Sequence, residues 1–76
     1  MAKDRIEYNR IRVILAEKNR KNKDIAEAIG VSEQTVSKWV TNTSQPALQQ
    51  LFAIAGFLGV DRAELLGSGK LLNDNQ

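Results

Sequence analysis

The sequence contains no cysteine and no histidine. Without these residues the chain cannot form disulfide bonds, build the usual zinc sites, or activate a thiol or a serine–histidine nucleophile. It also has no glycine-rich phosphate loop, and its paired carboxylates lie at helix-capping spacings. We therefore predict that the protein is not an enzyme, has no catalytic residue, and needs neither a metal nor another cofactor.

Signals for export and membrane insertion are missing as well. The charged N-terminus is not followed by the apolar segment of a signal peptide. The longest uncharged run, residues 39–60, contains the polar stretch 41–46, which would leave polar groups unpaired in lipid. The expectation is a cytoplasmic protein with no membrane partner.

Strand signals are equally scarce, since no run alternates β-branched with polar residues and no hairpin dipeptide occurs. The 76 residues suffice for one small domain. We predict an all-α fold of five short helices over residues 1–66, followed by a flexible C-terminal tail, 67–76. The tail begins with Gly67-Ser68-Gly69.

Capping residues set the first helix boundaries. The pair Asp4-x-x-Glu7 has the form of a capping box and predicts a first helix that ends near residue 18. Asn22 is a suitable cap for the second helix, and Gly30 is suited to the left-handed conformation at its end.

The second half of the domain follows the same rules. A fourth helix is predicted from about residue 47 to residue 58, ending at Gly59. The capping box Asp61-x-x-Glu64 opens a short fifth helix. Helical periodicity assigns one apolar set in the fourth helix to the core: Leu48, Leu51, Ile54, Ala55 and Leu58.

The most informative stretch runs from Asn22 to Trp39, where two short helices are joined by a three-residue turn. Ser32 caps the third helix, and the small Ala26 lets the two backbones approach closely. Apolar side chains fill the angle between the helices: Ile25, Ile29, Val31, Val36 and Trp39. The other side of the third helix is polar. An apolar back and a polar front suit a helix that lies in the major groove of DNA.

The run Ile25-Ala26-x-x-Ile29-Gly30-Val31-Ser32-x-x-Thr35-Val36-Ser37-x-Trp39 resembles the helix-turn-helix of the Cro and lambda-repressor-like family, the XRE type. The pattern from Pro46 to Leu66 is similar to that family's fourth and fifth helices. The resemblance covers residues 9–66. It implies a compact five-helix domain and a bacterial or phage regulator that binds double-stranded DNA, usually as a dimer.

The resemblance also implies two sets of contact residues. The third helix, about residues 33–41, would enter the major groove and read bases through Glu33, Gln34, Ser37 and Lys38. Backbone phosphates would be contacted by the start of the second helix, by the ends of the third, and by the amides and hydroxyls of the next turn: Lys21, Asn22, Lys23, Ser32, Thr41, Asn42, Thr43 and Ser44.

Alternative roles remain open for several of these residues. Glu33 also interacts favourably with the helix dipole, and Ser32 also serves as a plain N-cap. Many relatives have glycine where this chain has Thr43, so Asn42 would supply the left-handed residue of that turn.

Charge is distributed unevenly along the chain. Residues 1–23 hold eight Lys or Arg and three Asp or Glu, a net charge of +5, whereas residues 24–76 hold three and six, a net charge of −3. An anionic partner would attract the first segment, with Lys21 and Lys23 as the best candidates. For Arg10 and Arg12 an ordinary solvated surface is the competing interpretation, and the first residues could form a basic arm.

The fourth helix carries two aromatic residues outside its main apolar face, Phe52 and Phe57. We favour a homodimer contact for them over simple partial exposure. The resulting hypothesis is a sequence-specific transcriptional repressor associated with the nucleoid. The alternative is an antitoxin-like module that binds a small toxin protein through apolar residues: Phe52, Phe57, Leu65, Leu66, Leu71 and Leu72.

Overall fold

The computed structural model of the protein describes residues 5–72. Its elements in chain order are β1 (Arg5–Ile6), α1 (Ile11–Glu17), α2 (Asn22–Ile29), α3 (Glu33–Val40), α4 (Leu48–Leu58), a 3₁₀ turn (Arg62–Leu65) and β2 (Leu71–Leu72). The two strands pair antiparallel, with Arg5 opposite Leu72 and Ile6 opposite Leu71.

One hydrophobic core holds these elements together. Its most completely buried side chains come from all four helices and the 3₁₀ turn: Ile11, Ile14, Ile25, Val36, Ile54 and Leu65. Each such burial contributes about 1.5–3 kcal/mol relative to exposure. Because α2 packs on both α3 and α4, and α1 packs on α3 and the 3₁₀ turn, α3 is supported from behind and one of its sides faces solvent.

The expectation of five α-helices in an all-α fold is wrong in two respects. Over residues 5–72 there are four α-helices, because the predicted fifth is a single 3₁₀ turn. Its capping box is nevertheless present: the Ala63 N–H donates to Asp61 Oδ1 at 3.0 Å, and the Asp61 N–H donates to Glu64 Oε2 at 3.3 Å. The backbone is extended again at Leu66, which leaves room for only one tight turn. The second difference is the sheet, whose two-residue strands are too short to show alternation.

The first helix begins at Ile11, later than the predicted capping box. Asp4 lies outside the described residues, and the Glu7 carboxylate accepts a hydrogen bond from the Ser68 N–H at 2.9 Å instead of capping a helix. At the actual start of α1, Asn9 Oδ1 accepts from the Ile11 N–H at 3.1 Å. Pairing with residues far along the chain has overridden the local capping pattern.

The beginning and the end of the described chain run side by side, and we call residues 5–9 with 66–72 the terminal clasp. Beyond the strand pair, the Glu7 N–H donates to the Lys70 carbonyl and the Gly67 N–H to the Tyr8 carbonyl, both at 2.8 Å. Through Leu72, the predicted tail is therefore hydrogen-bonded to the start of the domain. The rest of that tail, 73–76, lies outside the described residues.

One assignment in α4 is wrong. Ile54, Ala55 and Leu58 are buried and Leu51 packs against them, but Leu48 is 68% exposed. Leu48 is the first residue of α4, whereas the buried residues come from its later turns. The predicted end of α4 is confirmed, since Gly59 follows it with φ +71°.

Within residues 5–72, no helix is long and apolar enough to cross a membrane. The same part of the chain holds no cluster of carboxylates that could bind a metal ion.

Candidate nucleic-acid interface

A glycine closes the turn between α2 and α3. α2 ends at Gly30 with φ +79°, a left-handed conformation that glycine adopts without steric cost. The N–H groups of Gly30 and Val31 both donate to the Ala26 carbonyl, at 2.9 and 3.1 Å. These bonds fix the three-residue turn that the sequence predicts.

α3 is anchored on the core through its apolar side. Val36 is fully buried and Trp39 is only 3% exposed. Ile25 and Ala26 of α2 are buried with them in the same cluster. The position of α3 relative to the domain is therefore set by core packing, so its solvent side is presented in one orientation.

The opposite side of α3 is polar. Glu33, Gln34, Ser37 and Lys38 are all exposed, and at about 100° per residue they span less than half of the helix circumference. We call these four residues the outer face. It offers a carboxylate, an amide, a hydroxyl and an ammonium group, which together can donate to and accept from base edges. The four predicted base-reading residues thus share one surface, and their contact with bases stays a prediction.

Ser32 is the N-cap of α3. Its Oγ accepts from the Thr35 N–H at 3.1 Å and lies 2.9 Å from the Thr35 hydroxyl. The capping role of Ser32 is confirmed, and a phosphate contact by the same hydroxyl stays a prediction. Glu33 occupies the first turn of α3, where the helix dipole favours a carboxylate with or without DNA.

The start of α2 lies one residue away from its predicted place. Lys21 is the N-cap, and Asn22 is the first helical residue. Lys21 has no side-chain acceptor, so the cap is completed from inside the helix, where Asp24 Oδ2 accepts from the Lys21 N–H at 2.9 Å. Lys21 and Lys23 are exposed at this first turn. The Asp24 N–H donates to the Lys21 carbonyl at 2.9 Å, whereas the N–H groups of Asn22 and Lys23 precede the first acceptor that the helix offers. Two ammonium groups and backbone donors form a suitable anion environment, which the Asp24 carboxylate moderates.

The turn after α3 directs its amides inward. Asn42 has φ +60°, which confirms that it supplies the left-handed residue. Its N–H donates to the Trp39 carbonyl at 3.0 Å, and the N–H groups of Thr43 and Ser44 donate to the Lys38 carbonyl at 2.9 and 3.1 Å. The N–H groups of this turn are therefore hydrogen-bonded within the protein, whereas the Thr43 and Ser44 side chains are exposed, and the contact of this turn with a phosphate stays a prediction.

The Asn42 side chain is buried against the start of the domain. Its Oδ1 accepts from the N–H groups of Tyr8 and Asn9 at 2.9 and 3.1 Å, and its Nδ2 donates to the Asn9 carbonyl at 3.2 Å. Asn9 Nδ2 donates in turn to the Trp39 carbonyl at 2.9 Å and to Gln45 Oε1 at 2.7 Å. These bonds occupy the side-chain amide of Asn42 and position the turn, and the predicted contact of Asn42 with the DNA backbone stays a prediction.

We call Asn9 and Asn42 the asparagine pair. Sequence reasoning missed the role of Asn9 because, apart from Ile11, its partners lie 30 residues or more along the chain. The available signal was only that asparagine is a plausible helix cap just before α1. The pair joins the end of α3 to the start of α1 and to the terminal clasp.

The two aromatic residues predicted to contact a partner lie in different environments. Phe52 is 47% exposed, with the Arg62 guanidinium 4.9 Å from its ring centroid. Phe57 is half-buried against the core, and the Arg20 guanidinium lies 5.1 Å from its ring centroid. Leu65, which the antitoxin alternative included, is completely buried and cannot reach a partner.

Known proteins share this architecture. The sequence profile described as Helix-turn-helix matches residues 11–65. A crystal structure of a Bacteroides fragilis protein, provisionally described as DNA-binding, is similar at 46% identity and a TM-score of 0.75, covering 86% of this chain and 97% of its own. The crystal structure of the transcriptional regulator VanUg is similar at 28% identity and a TM-score of 0.64, covering 93% of this chain and 89% of its own. No curated protein sequence matches the chain.

The profile match covers all four α-helices and the 3₁₀ turn. It includes the glycine turn, the serine-capped α3 and the buried Trp39 described above. The resemblance inferred from the residues is therefore confirmed, and the chain belongs to the XRE-type helix-turn-helix family.

Proposed function

We propose that the protein is a sequence-specific regulator of transcription, a repressor, that inserts α3 into the major groove of double-stranded DNA. The observation that carries the proposal is the outer face of α3, four exposed polar residues on a helix whose other side is locked into the core. Both similar structures are of proteins described as DNA-binding or as a transcriptional regulator. Occupying a promoter with this domain would block polymerase.

The roles within the interface follow from side-chain chemistry. Gln34 can pair with adenine through its amide, and Lys38 can donate to guanine. Ser37 suits several bases, and Glu33 can accept from cytosine. Lys21 and Lys23 would contact phosphates, which fix the register of the protein on DNA without reading sequence.

Selection of binding sites from random duplex DNA tests the proposal, because it reports sequence preference and half-site spacing together. On the selected site, Gln34→Ala and Lys38→Ala should each relax preference at one base position, at a cost of about 1–3 kcal/mol. Lys23→Ala should weaken all duplexes alike. Gln49→Ala, at an exposed glutamine of α4, is the matched control and should change nothing. Failure to enrich any sequence would refute sequence-specific binding.

Repression is tested separately in a reporter strain. The selected site, placed between the promoter elements, should lower expression when the protein is produced. The Gln34→Ala, Lys38→Ala double variant should restore it. An increase in expression by the wild-type protein would identify an activator instead.

We also propose that the protein acts as a homodimer. Leu48, Phe52 and Leu66 are 68%, 47% and 55% exposed, and they line one shallow apolar depression of about 300 Å³. A second copy related by two-fold symmetry would cover this surface and place two α3 helices on successive turns of DNA. Phe57, already covered by Arg20, fits this role less well than Phe52.

Analytical ultracentrifugation at micromolar concentrations tests the dimer with two matched leucines. Leu66 and Leu71 are similarly exposed, at 55% and 58%, but only Leu66 lines the apolar depression. Leu66→Glu should give a monomer, and Leu71→Glu should leave the dimer intact. A wild-type monomer that forms a 1:1 complex with a small co-purifying protein would favour the antitoxin alternative over the homodimer.

A further inference from the structure

A second cleft lies at the C-terminal end of α3, away from the apolar depression. Its volume is about 240 Å³, well above the roughly 30 Å³ that one water molecule occupies in the liquid. We call it the basic cleft, because three arginines and only one carboxylate stand among the described residues around it: Arg5, Glu7, Asn9, Arg10, Arg12, Val13, Val40, Thr41, Asn42 and Leu72.

Glu7 is the one carboxylate among the described residues around the basic cleft, and it is hydrogen-bonded. Glu7 accepts from the Ser68 N–H at 2.9 Å. This backbone hydrogen bond, the Ser68 hydroxyl, and the charges of Arg10 and Lys70 lower the pKa of Glu7 below its usual value. Even with Arg5 left out of the count, the guanidinium groups of Arg10 and Arg12 outnumber this carboxylate among the described residues, so the described lining of the cleft carries a net positive charge.

The back of the basic cleft is rigidly joined to α3. The asparagine pair lies in its wall, and Asn9 Nδ2 donates to the Trp39 carbonyl at 2.9 Å. The arginines are carried by β1 and the start of α1, on both sides of Asn9 in sequence. An anion in the cleft would therefore be held at a fixed position relative to the outer face.

Thr41 connects the outer face to the basic cleft. It follows Gln34, Ser37 and Lys38 at helical spacings of three and four, so the same side of α3 leads into the cleft. A helix in the major groove is flanked by the two phosphate backbones. The cleft thus lies where the end of α3 would leave the groove and meet a backbone.

The C-terminus of a helix normally repels anions, because its last carbonyl oxygens carry partial negative charge. Here three of the last four carbonyl oxygens of α3 accept hydrogen bonds. The Ser37 carbonyl accepts from the Thr41 hydroxyl at 3.0 Å, the Lys38 carbonyl accepts from the Thr43 N–H at 2.9 Å, and the Trp39 carbonyl accepts from the Asn42 N–H at 3.0 Å. This capping reduces the repulsion that an anion would meet.

We infer that the basic cleft binds a phosphate group of the DNA backbone, held by the guanidinium groups of Arg10 and Arg12. This inference rests on the proposed function and adds a backbone contact that the resemblance did not imply. Guanidinium groups suit the site because they bind phosphate oxygens in a bidentate manner, which an ammonium group cannot do. The protein would then have two phosphate sites, the anion environment at the start of α2 and the basic cleft at the end of α3. One site would lie at each end of the helix-turn-helix.

The test compares Arg10→Gln, Arg12→Gln and the double variant with Lys18→Gln, which removes an exposed positive charge at the opposite end of α1. Affinity is measured for the selected site and for a scrambled duplex over a range of salt concentrations. The double variant should lose about tenfold in affinity for both duplexes alike, and its slope of log K against log salt should fall by about 0.9. Lys18→Gln should match the wild type.

Two further measurements separate the possible failures. Thermal unfolding should leave the midpoint of Arg12→Gln unchanged, because Arg12 is exposed, so its weaker DNA binding cannot be attributed to unfolding. Inorganic phosphate, titrated without DNA, should shift the NMR amide signals of Arg12 and Thr41 in the wild type only.

An unchanged salt slope in the double variant would overturn the DNA contact. Should phosphate still shift these signals in the wild type, the cleft binds free phosphate instead. A wild-type protein that binds no duplex would refute the proposed function. The phosphate titration would then still test whether the cleft binds an anion.

Discussion

The helix-turn-helix, residues 22–41, and the terminal clasp, residues 5–9 with 66–72, are built by opposite means. In the first, the hydrogen bonds that shape the turn join residues three to five apart, such as Ser32 to Thr35 and Val31 to Ala26. In the second, Glu7 bonds to Ser68, 61 residues away. The region proposed to read DNA is locally specified, whereas the region that braces it depends on the ends of the domain finding each other.

The asparagine pair joins these two regions, so breaking it should have the largest effect. Asn42→Ala removes the acceptor of the Asn9 N–H, leaves the Tyr8 N–H only the Ile6 carbonyl, and forces alanine to φ +60°. Together these changes should cost about 3 kcal/mol of unfolding free energy. Urea denaturation followed by tryptophan fluorescence measures the loss, since Trp39 lies beside the pair.

Two matched variants separate the contributions to this loss of stability. Asn42→Gly keeps the left-handed backbone and should recover about 1 kcal/mol. Thr43→Ala, at the exposed neighbouring position, should change stability by less than about 0.5 kcal/mol. If Asn42→Ala also lost less than about 0.5 kcal/mol, the terminal clasp would not brace the helix-turn-helix.

The difference between the two regions also decides what the sequence could predict. A window of a few residues is enough to predict the roles of Gly30 and Ser32 and the apolar back of α3, because caps, turns and helical periodicity act locally. The outer face follows from the same periodicity. The asparagine pair and the clasp could not be predicted, since nothing within a local window identifies a partner 33 or 61 residues away.

Two wrong predictions show the limit of local sequence rules. The Asp4-x-x-Glu7 pattern satisfied the local rule for a capping box, yet Glu7 bonds across the clasp to Ser68. Leu48 satisfied helical periodicity, but it lies at the first residue of α4 and is 68% exposed. Periodicity identifies the face of a helix, and it does not show how far along the helix the core extends.

Gly67 offers a second way to open the clasp. A β-carbon there would lie 2.6 Å from the Glu7 carbonyl carbon and 2.8 Å from that of Tyr8, so the two backbones would have to separate. Gly67→Ala should therefore cost about 2 kcal/mol, with faster amide hydrogen exchange at Glu7 and Gly69. The outer face should keep its NMR signals if the clasp yields separately from the helix pair.

Gly56 is the matched control for that substitution. It lies inside α4, and a β-carbon there would meet no atom within 4 Å. Gly56→Ala should stabilise the protein by about 0.5–1 kcal/mol, because alanine is the better helix former. Equal destabilisation by both substitutions would contradict the close approach of the clasp strands.

Substitution of Ser32 tests the helix-turn-helix, and its expected effect on stability is smaller. Ser32→Ala removes the acceptor of the Thr35 N–H and should cost about 1 kcal/mol. Ser32→Asp keeps an acceptor and should preserve the melting temperature. If the Ser32 hydroxyl also contacts a phosphate, the aspartate variant will nevertheless bind all duplexes more weakly, since its charge repels the backbone. Undiminished DNA affinity in Ser32→Asp would restrict Ser32 to capping.

The smallest effect is expected from protonating the clasp. The pKa of Glu7 is lowered in the folded state, chiefly by the Ser68 backbone hydrogen bond, so the ionised carboxylate contributes stability above the unfolded-state pKa. That contribution is lost as the pH falls through the lower, folded-state pKa. Melting temperatures of wild type and Glu7→Gln, compared from about pH 6 down to about pH 3, should therefore converge at the acidic end. Glu27→Gln, at an exposed glutamate of α2, is the control within the locally built region. If the gap between wild type and Glu7→Gln stayed constant across this range, the ionised Glu7 would not hold the two ends of the domain together.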